Sequence, residues 1–176
     1  MPRPRIKFTV KDYMTAPPGK RYQLLDGEMI LLEGETNLAP APSDKHQAVV
    51  VKLLVALYQF VTEHRLGLVR VSPYDVTLSE YDVVQPDLLF VSNGRSSIIT
   101  QANIQGAPDL VVEVLSPATA QYDRGYKRTL YSRFGVQEYW LVDPDAETVE
   151  VLTGSGQGLV RQVIGEPETA TPVEVL

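Results

Sequence analysis

The chain of 176 residues contains no cysteine, and this absence removes several classes of chemistry at once. Disulfide frameworks, zinc–thiolate sites and cysteine nucleophiles are excluded. Only two histidines are present, neither near a nucleophile-elbow sequence, so a Ser-His-Asp hydrolase has little basis. Apolar runs are short, and none approaches the roughly 20 residues of a membrane-spanning helix. The basic start, residues 1–5, is followed by no hydrophobic signal region, so we expect a cytoplasmic protein without membrane association.

The charge of the chain is acidic overall but unevenly distributed. The net charge of −6 argues against a protein that coats nucleic acid generally. Residues 1–21 hold six Lys/Arg against Asp12 alone, whereas residues 134–176 hold eight Asp/Glu against Arg161 alone. An acidic excess repels a polyanion unless divalent cations or a local basic face intervene. Charge alone therefore leaves the partner undecided.

Length and composition predict one globular domain over residues 1–176. A chain of this size with 44% hydrophobic residues can bury a sizeable core. We interpret residues 1–20 as an N-terminal arm with one helical turn near residues 10–14, and residues 155–176 as a C-terminal tail. The tail contains two prolines and has room for one edge strand.

Periodicity and turn residues predict a mixed α/β sandwich. The dipeptide Asp26-Gly27 joins two short strands, a strong hairpin signal. Ser43 is an N-cap before an apolar-periodic helix over residues 44–65. A second helix is expected at residues 122–134, closed by Gly135. The remaining strands are predicted at residues 67–71, 74–79, 87–92, 109–115, 138–143 and 148–153.

Two of the predicted strands open with Pro-Asp, and the second carries an acid among Val and Leu. Burying the carboxylate of Glu113 costs several kcal/mol unless it is paired, hydrogen-bonded or metal-bound. Asp109 points to the same side, but four residues span about 13 Å, too far to share one magnesium ion. Asp87 lies on another strand, and adjacent strands are about 4.8 Å apart. Asp87 and Glu113 together could therefore hold one hard cation, with waters completing its shell.

Structural alternatives to these roles remain open at this point. Asp109 is explained by capping of loop amides at a strand entry, and Glu113 by bonding to a tyrosine or arginine. Asp123 and Lys127 stand at i,i+4, which is typical of a surface ion pair. Lys127 also lies one turn from apolar residues, so it could instead aim its ammonium at the strand carboxylates and stabilise charge on a phosphate.

Several motifs in order carry a resemblance to a known family. Residues 108–144 combine Pro-Asp-Leu-Val-Val-Glu-Val-Leu-Ser-Pro, an Asp-x-x-x-Lys helix and Gly-Val-Gln-Glu-Tyr-Trp-Leu-Val-Asp-Pro. Tyr-Gln-Leu-Leu-Asp-Gly-Glu at 22–28, the Pro-Ser…His46 helix start and Gln-Pro-Asp at 85–87 also match. The chain thus resembles the Uma2 family, or domain of unknown function 820, over roughly residues 8–155.

That family is assigned to the PD-(D/E)xK nuclease superfamily. The resemblance implies a restriction-endonuclease-like mixed β-sheet core flanked by helices, with an N-terminal β-hairpin. It also implies that Asp87 and Glu113 are the acids of the two half-motifs. The chain departs from the pattern at Leu115, where the motif has lysine. Lys127, on the following helix, is the matching replacement.

The resemblance implies a magnesium-dependent endonuclease that hydrolyses DNA, with Mn²⁺ as an alternative ion. Asp87, Glu113 and Lys127 would be catalytic, and the two acids would bind the metal.

Further residues are accessory predictions. Glu28 could contribute to a second ion, and His46 could bond a carboxylate or phosphate unless it only caps or packs. Gln85 could line the cleft. Arg124, Arg128 and Arg133 could steer the DNA backbone, or be solvated helix residues.

A nuclease fold does not by itself establish turnover. Leu115 and the acidic net charge favour the alternative, a binding or assembly module that retains the fold without catalysis. A homodimer formed through the acidic C-terminal hairpin and apolar strand edges is compatible with both hypotheses.

Overall fold

The computed structural model describes residues 6–17, 20–32, 43–117, 119–155 and 158–165. The helical segments are α1 (Val10–Met14), α2 (Asp44–Glu63), a 3-10 turn (Asn93–Ile98), α3 (Ala120–Tyr122), a π-helical turn (Asp123–Lys127) and α4 (Arg128–Phe134). The strands are β1 (Tyr22–Leu25), β2 (Glu28–Leu31), β3 (Gly67–Val71), β4 (Val76–Ser79), β5 (Asp82–Val84), β6 (Leu88–Ser92), β7 (Ile104–Gln105), β8 (Leu110–Val114), β9 (Glu138–Asp143), β10 (Thr148–Ser155) and β11 (Gly158–Gly165). Among these residues, no helix is long and apolar enough to cross a membrane.

The strands form two mixed sheets. The smaller has the order β2-β1-β5-β4-β7, and the larger β11-β10-β9-β8-β6-β3. Parallel strands need a crossover connection, and β8 and β9 are joined through α3, the π-helical turn and α4. The crossover contributes one part of the candidate site, and the neighbouring strands β6 and β8 contribute the other.

The N-terminal hairpin forms because its turn residues accept left-handed backbone. Asp26 has φ 49° and Gly27 has φ 76°, the signs that a two-residue hairpin turn requires. A Cβ atom at Gly27 would lie 2.6 Å from the Cβ of Lys7, so glycine is needed there for space as well. The predicted hairpin is confirmed.

Helix α2 covers one face of the larger sheet. Ser43 caps it by accepting a hydrogen bond from the backbone of His46 at 3.2 Å. Its buried face presents Val50, Leu57 and Val61 to the strands. Together they form a core cluster with side chains from five strands, including Phe90, Leu110, Val112, Trp140 and Val149.

The opposite face packs on α4 and the smaller sheet. This core joins Leu89 and Val111 of the larger sheet with Val76 of the smaller one and Leu130 of α4. Leu115, which stands where the sequence motif has lysine, is 7% exposed and belongs to this core. The mixed α/β architecture with flanking helices is confirmed.

Three details differ from the predicted elements. The strand expected at residues 74–79 begins at Val76, and the short strands β5 and β7 were not predicted. These strands have three and two residues, which is too short for a clear alternation of apolar and polar positions, although β5 pairs with its neighbour β4. The range interpreted as a C-terminal tail with room for one edge strand contains β11, which lies at the edge of the larger sheet.

Candidate active site

Asp87 and Glu113 lie beside each other on neighbouring strands. Strands β6 and β8 pair antiparallel with Leu88 opposite Val112, and the same register places Asp87 next to Glu113. Alternation along each strand puts both side chains on the face that carries Leu89 and Val111. Asp87 Oδ2 accepts a hydrogen bond from the backbone N–H of Val114 at 2.8 Å, which fixes it across the strand pair.

Lys127 reaches the strand carboxylates from the helical crossover. Its Nζ lies 2.8 Å from Glu113 Oε1 and 2.8 Å from Asp123 Oδ1. The exposed fractions of the Lys127 and Asp123 side chains are 4% and 1%, so the interpretation as a surface ion pair is wrong. Both residues belong to the π-helical turn Asp123–Lys127, a local distortion that often occurs at functional sites.

Two tyrosines complete the cluster around Glu113. Tyr131 donates its hydroxyl to Glu113 Oε1 at 2.9 Å. Tyr139 packs edge-on against Tyr131 with ring centroids 4.9 Å apart, and its hydroxyl donates to the backbone carbonyl of Asp123 at 3.1 Å. Glu113 therefore accepts a hydrogen bond from a tyrosine, as one structural alternative predicted, but it also pairs with Lys127.

The electrostatics of the cluster follow from burying two acids with one base. Burial raises the pKa of Glu113 to about 8, with further increases from Asp123 and Asp87, against the opposing effect of Lys127. Burial alone would lower the pKa of Lys127, but the adjacent Glu113 and Asp123 outweigh it and raise that pKa. Lys127 is thus held as an ammonium, and burial opposes the ionisation of Glu113.

His46 approaches Asp87 from the first turn of α2. Its Nε2 lies 3.5 Å from Asp87 Oδ2, and the bond to Asp87 raises the pKa of His46 although burial lowers it. The other ring nitrogen, Nδ1, is buried without a hydrogen-bond partner among the described residues. The predicted accessory histidine is therefore placed against a site acid, and its capping contact uses its backbone instead.

Gln85 and Glu28 lie in other surroundings. Gln85 donates to Asp75 Oδ1 at 2.8 Å and accepts from Arg21 at 3.1 Å, so its side chain belongs to a polar network beside the smaller sheet. Glu28 is exposed at the start of β2, opposite Leu25 in the hairpin register. Neither is part of the buried cluster around Glu113.

The three helix arginines make contacts within the protein. Arg124 binds Asp143 at 3.0 Å and Glu150 at 3.4 Å. Arg128 donates to the carbonyl of Leu159 at 3.2 Å, and Arg133 binds Asp82 at 3.1 Å. A DNA contact by Arg124 or Arg133 would have to compete with these acids.

Asp109 is a structural residue at the entry of β8. Its Oδ2 accepts from the backbone N–H of Ser92 at 2.7 Å, and its Oδ1 lies 3.3 Å from Arg95. This is the amide-capping role that strand length predicted. The side chain is accordingly separate from the Glu113 cluster.

The sequence interpretation missed Asp123, Tyr131 and Tyr139 as members of the site. The spacing of Asp123, Lys127 and Tyr131 by four residues places them along one helix face, and that signal was present. It does not say whether the face is buried, because the same spacing is typical of exposed helices.

The chemistry of the donors decides whether a metal ion fits here. In the part of the chain that the structure describes, no group of three or more His, Asp or Glu is placed to hold a metal ion. A cation would rest on the oxygens of Asp87 and Glu113, with water or substrate oxygens completing its shell. Magnesium commonly uses one or two carboxylates in this way, so the pair fits it.

Comparisons with known proteins agree with this architecture. A family model, Uma2, described as "Putative restriction endonuclease", matches residues 10–176. The fold is similar to a crystal structure described as a "putative nuclease belonging to DUF820" from Anabaena variabilis ATCC 29413. The TM-score is 0.72 at 22% identity, over 94% of this chain and 89% of that chain. A search of curated proteins finds no match. The resemblance inferred from the motifs is confirmed.

Proposed function

The chain belongs to the Uma2 family of restriction-endonuclease-like proteins, and we propose that it is a magnesium-dependent endonuclease that hydrolyses phosphodiester bonds in DNA. One observation carries the proposal: Lys127 and Glu113 meet at 2.8 Å beside Asp87, although Leu115 occupies the usual lysine position. Two acids on adjacent strands and a lysine from the crossover supply the charges that phosphodiester hydrolysis needs.

Asp87 and Glu113 would hold the cation, Mg²⁺ or Mn²⁺. The bound ion would polarise a phosphoryl oxygen and lower the pKa of a water molecule. The backbone bond from Val114 orients Asp87, and Tyr131 orients Glu113, so both carboxylates are fixed before substrate arrives. His46 would support Asp87 from the other side.

Lys127 would act as a fixed positive charge rather than as a base. Its raised pKa keeps it protonated, so it donates hydrogen bonds and cannot accept a proton. Asp123 anchors the ammonium from within the π-helical turn. In the proposed role, Lys127 stabilises negative charge on the phosphate in the transition state.

The remaining proposals concern the substrate and its surroundings. Arg124 and Arg128 would contact the DNA backbone, with Arg124 exchanging Asp143 for a phosphate. Glu28 and Gln85 would act only as accessory groups, because both lie outside the cluster that contains Asp87 and Glu113. With DNA as its substrate the protein would act in the cytoplasm, and a homodimer would let two sites act on two strands.

The test is cleavage of plasmid DNA in Mg²⁺ by Asp87→Asn and Glu113→Gln. Each substitution removes a ligand charge with little change in shape, so we expect cleavage to fall at least about 100-fold. Asp82→Asn is the matched control, because Asp82 is another acid, 1% exposed, outside the site. Circular dichroism checks the fold. Undiminished cleavage in either site variant contradicts the assignment.

A second candidate is a nuclease-fold module that binds DNA or assembles without turnover. The burial of the Lys127 side chain, 4% exposed, favours this module, because a phosphate reaches the ammonium only if neighbouring atoms move. Gel-shift and cleavage assays on one DNA sample distinguish the two. The module binds DNA and leaves it intact with Mg²⁺ and with Mn²⁺, whereas the enzyme cleaves it.

A further inference from the structure

Helix α2 has a second apolar stripe on the face turned away from the sheet. Val51, Val55 and Tyr58 are 55%, 49% and 57% exposed. With the exposed Ala48 and Thr62 they recur at spacings of three and four residues, the pattern of a seam between two helices. Charge along this stripe is sparse, since Lys52 is the charged residue beside its centre.

This stripe is additional to the one that builds the core. Val50, Leu57 and Val61 already bury the inner face of α2 against the larger sheet. A surface helix needs only one apolar face, and three large exposed apolar side chains in line are typical of a surface covered by another element.

We propose that the occupant of this face is α2 of a second copy of the chain, packed antiparallel about a twofold axis near Val55. A twofold contact uses the same patch on both copies, so residue i meets residue j and j meets i. With the axis near Val55, Ala48 of one copy faces Thr62 of the other, and Val51 faces Tyr58. The inference does not depend on nuclease activity.

The charges at the two ends of α2 select the antiparallel direction. The first turn contains Asp44 and Lys45, and the end of the helix contains Glu63, followed by Arg65. Antiparallel packing sets Lys45 beside Glu63 of the other copy and Asp44 beside Arg65. Parallel packing would set like charges together, which is unfavourable.

Existing contacts of these end residues do not oppose the arrangement. Lys45 lies 3.2 Å from Asp145, but the two side chains are 52% and 83% exposed. Such a pair contributes at most about 1 kcal/mol and can exchange for an interfacial partner.

The size of the contact sets the expected affinity. Helix α2 has 20 residues, so two copies would contact over about 30 Å. Contact between single helices lies near the lower limit of about 1,000 Å² for a specific interface. We therefore expect a reversible dimer with a dissociation constant in the micromolar range rather than an obligate one.

Sedimentation velocity of the full chain over a concentration series tests the dimer. Val55→Glu places two like charges across the twofold axis, and we expect it to raise the dissociation constant at least tenfold. Val160→Glu is the matched control, since Val160 is 45% exposed on β11. Circular dichroism shows that both variants remain folded. A monomeric wild type overturns the proposal, as does a dimer that survives Val55→Glu; loss of the dimer in Val160→Glu alone would instead locate it at the C-terminal hairpin.

Cysteine cross-linking tests the direction, because the chain has no native cysteine. Under mild oxidation, Val55→Cys should form a disulfide-linked dimer near the axis. Ala48→Cys alone should not, whereas a mixture of Ala48→Cys and Thr62→Cys proteins should yield the heterodimer. Efficient self-cross-linking of Ala48→Cys, or no cross-link from the mixture, overturns the antiparallel arrangement.

Discussion

Two clusters of buried acids in this protein are satisfied in different ways. In the Asp82 cluster, Oδ1 accepts from the backbone N–H of Asp26 at 2.9 Å and from the hydroxyl of Tyr126 at 3.1 Å. Its Oδ2 accepts from Ser79 at 2.6 Å and from Arg133 at 3.1 Å. Asp82 therefore has four donors, one of them a cation.

The Glu113 cluster (Glu113, Asp123, Lys127 and Tyr131) divides one cation between two acids. Lys127 is shared by Glu113 and Asp123, and Asp123 Oδ1 has no aligned hydrogen bond although the ammonium is 2.8 Å away. Among the residues that the structure describes, His46 Nδ1 nearby is also buried without a hydrogen-bond partner. One ammonium thus contacts two buried carboxyl groups in this cluster.

The difference separates a structural acid from a functional one. Native proteins pair nearly all buried polar atoms, and the exceptions need a reason such as catalysis or an ion. Burial identifies both Asp82 and Glu113, but the Glu113 cluster also contains a buried oxygen, Asp123 Oδ1, without an aligned hydrogen bond. Burial raises the pKa of Glu113, as is common at reactive sites. Incomplete pairing is thus a better indicator of the site than burial.

The largest expected effect comes from replacing the cation of each cluster with methionine, an unbranched apolar residue. Lys127→Met should lower kcat for DNA cleavage at least about 100-fold, because it removes a fixed charge from the transition state. Arg133→Met should leave kcat within about threefold, since Arg133 lies outside the site. Single-turnover cleavage at saturating Mg²⁺ measures both. Equal kcat losses would erase the distinction between the clusters.

The same two variants should differ in their free energy of unfolding. Lys127→Met leaves buried acids without a cation, so the free energy of unfolding should fall by about 3–5 kcal/mol. Asp82 is buried but keeps three other donors when Arg133 is removed, so Arg133→Met should cost only about 1–2 kcal/mol. Urea denaturation measures both values. Adding Asp123→Asn to Lys127→Met should recover part of the loss, and a further loss would contradict the charge account.

Asp82→Asn should lower the stability of the protein without lowering DNA cleavage. Its amide cannot accept from all four donors, so the free energy of unfolding should fall by about 1–3 kcal/mol. Cleavage by the folded protein should be unchanged. A loss of cleavage similar to that of Glu113→Gln would place Asp82 in the site.

The sequence predicted those parts of the fold that depend on local pattern. The Asp26-Gly27 hairpin, helix α2 and the paired strands β6 and β8 follow from turn residues and apolar runs. Strand spacing also separated Asp109 from Glu113. The register that sets Asp87 beside Glu113 is a consequence of these strands pairing directly.

Other parts of the site could not be predicted because they depend on packing. Asp123 and Lys127 have the spacing of a surface pair, and only the crossover against the sheet buries them. The π-helical turn that contains them has no sequence signature in this chain. Gln85 stands two residues before Asp87, yet its contacts with Arg21 and Asp75 are set by distant segments.

A smaller effect concerns Glu138, a buried acid without a cation among its described contacts. Burial raises its pKa above the ordinary value of 4.5, against the opposing hydrogen bond from Trp140. Because the folded-state pKa is the higher one, its stabilising contribution is complete below the unfolded-state pKa and is lost as pH rises through the folded-state pKa. Relative to Glu138→Gln, the wild type should lose stability from pH 4.5 upward, measured by urea denaturation. A constant difference would contradict this.

The most direct test of the central claim is Mn²⁺ binding followed by calorimetry in the wild type, Asp87→Asn, Glu113→Gln and Asp82→Asn. We expect the wild type and Asp82→Asn to bind one ion with equal affinity. Each site variant should lose at least about tenfold in affinity, since one carboxylate ligand is gone. Wild-type affinity in Asp87→Asn and Glu113→Gln, or a loss confined to Asp82→Asn, would contradict the assignment of the Glu113 cluster as the metal-dependent site.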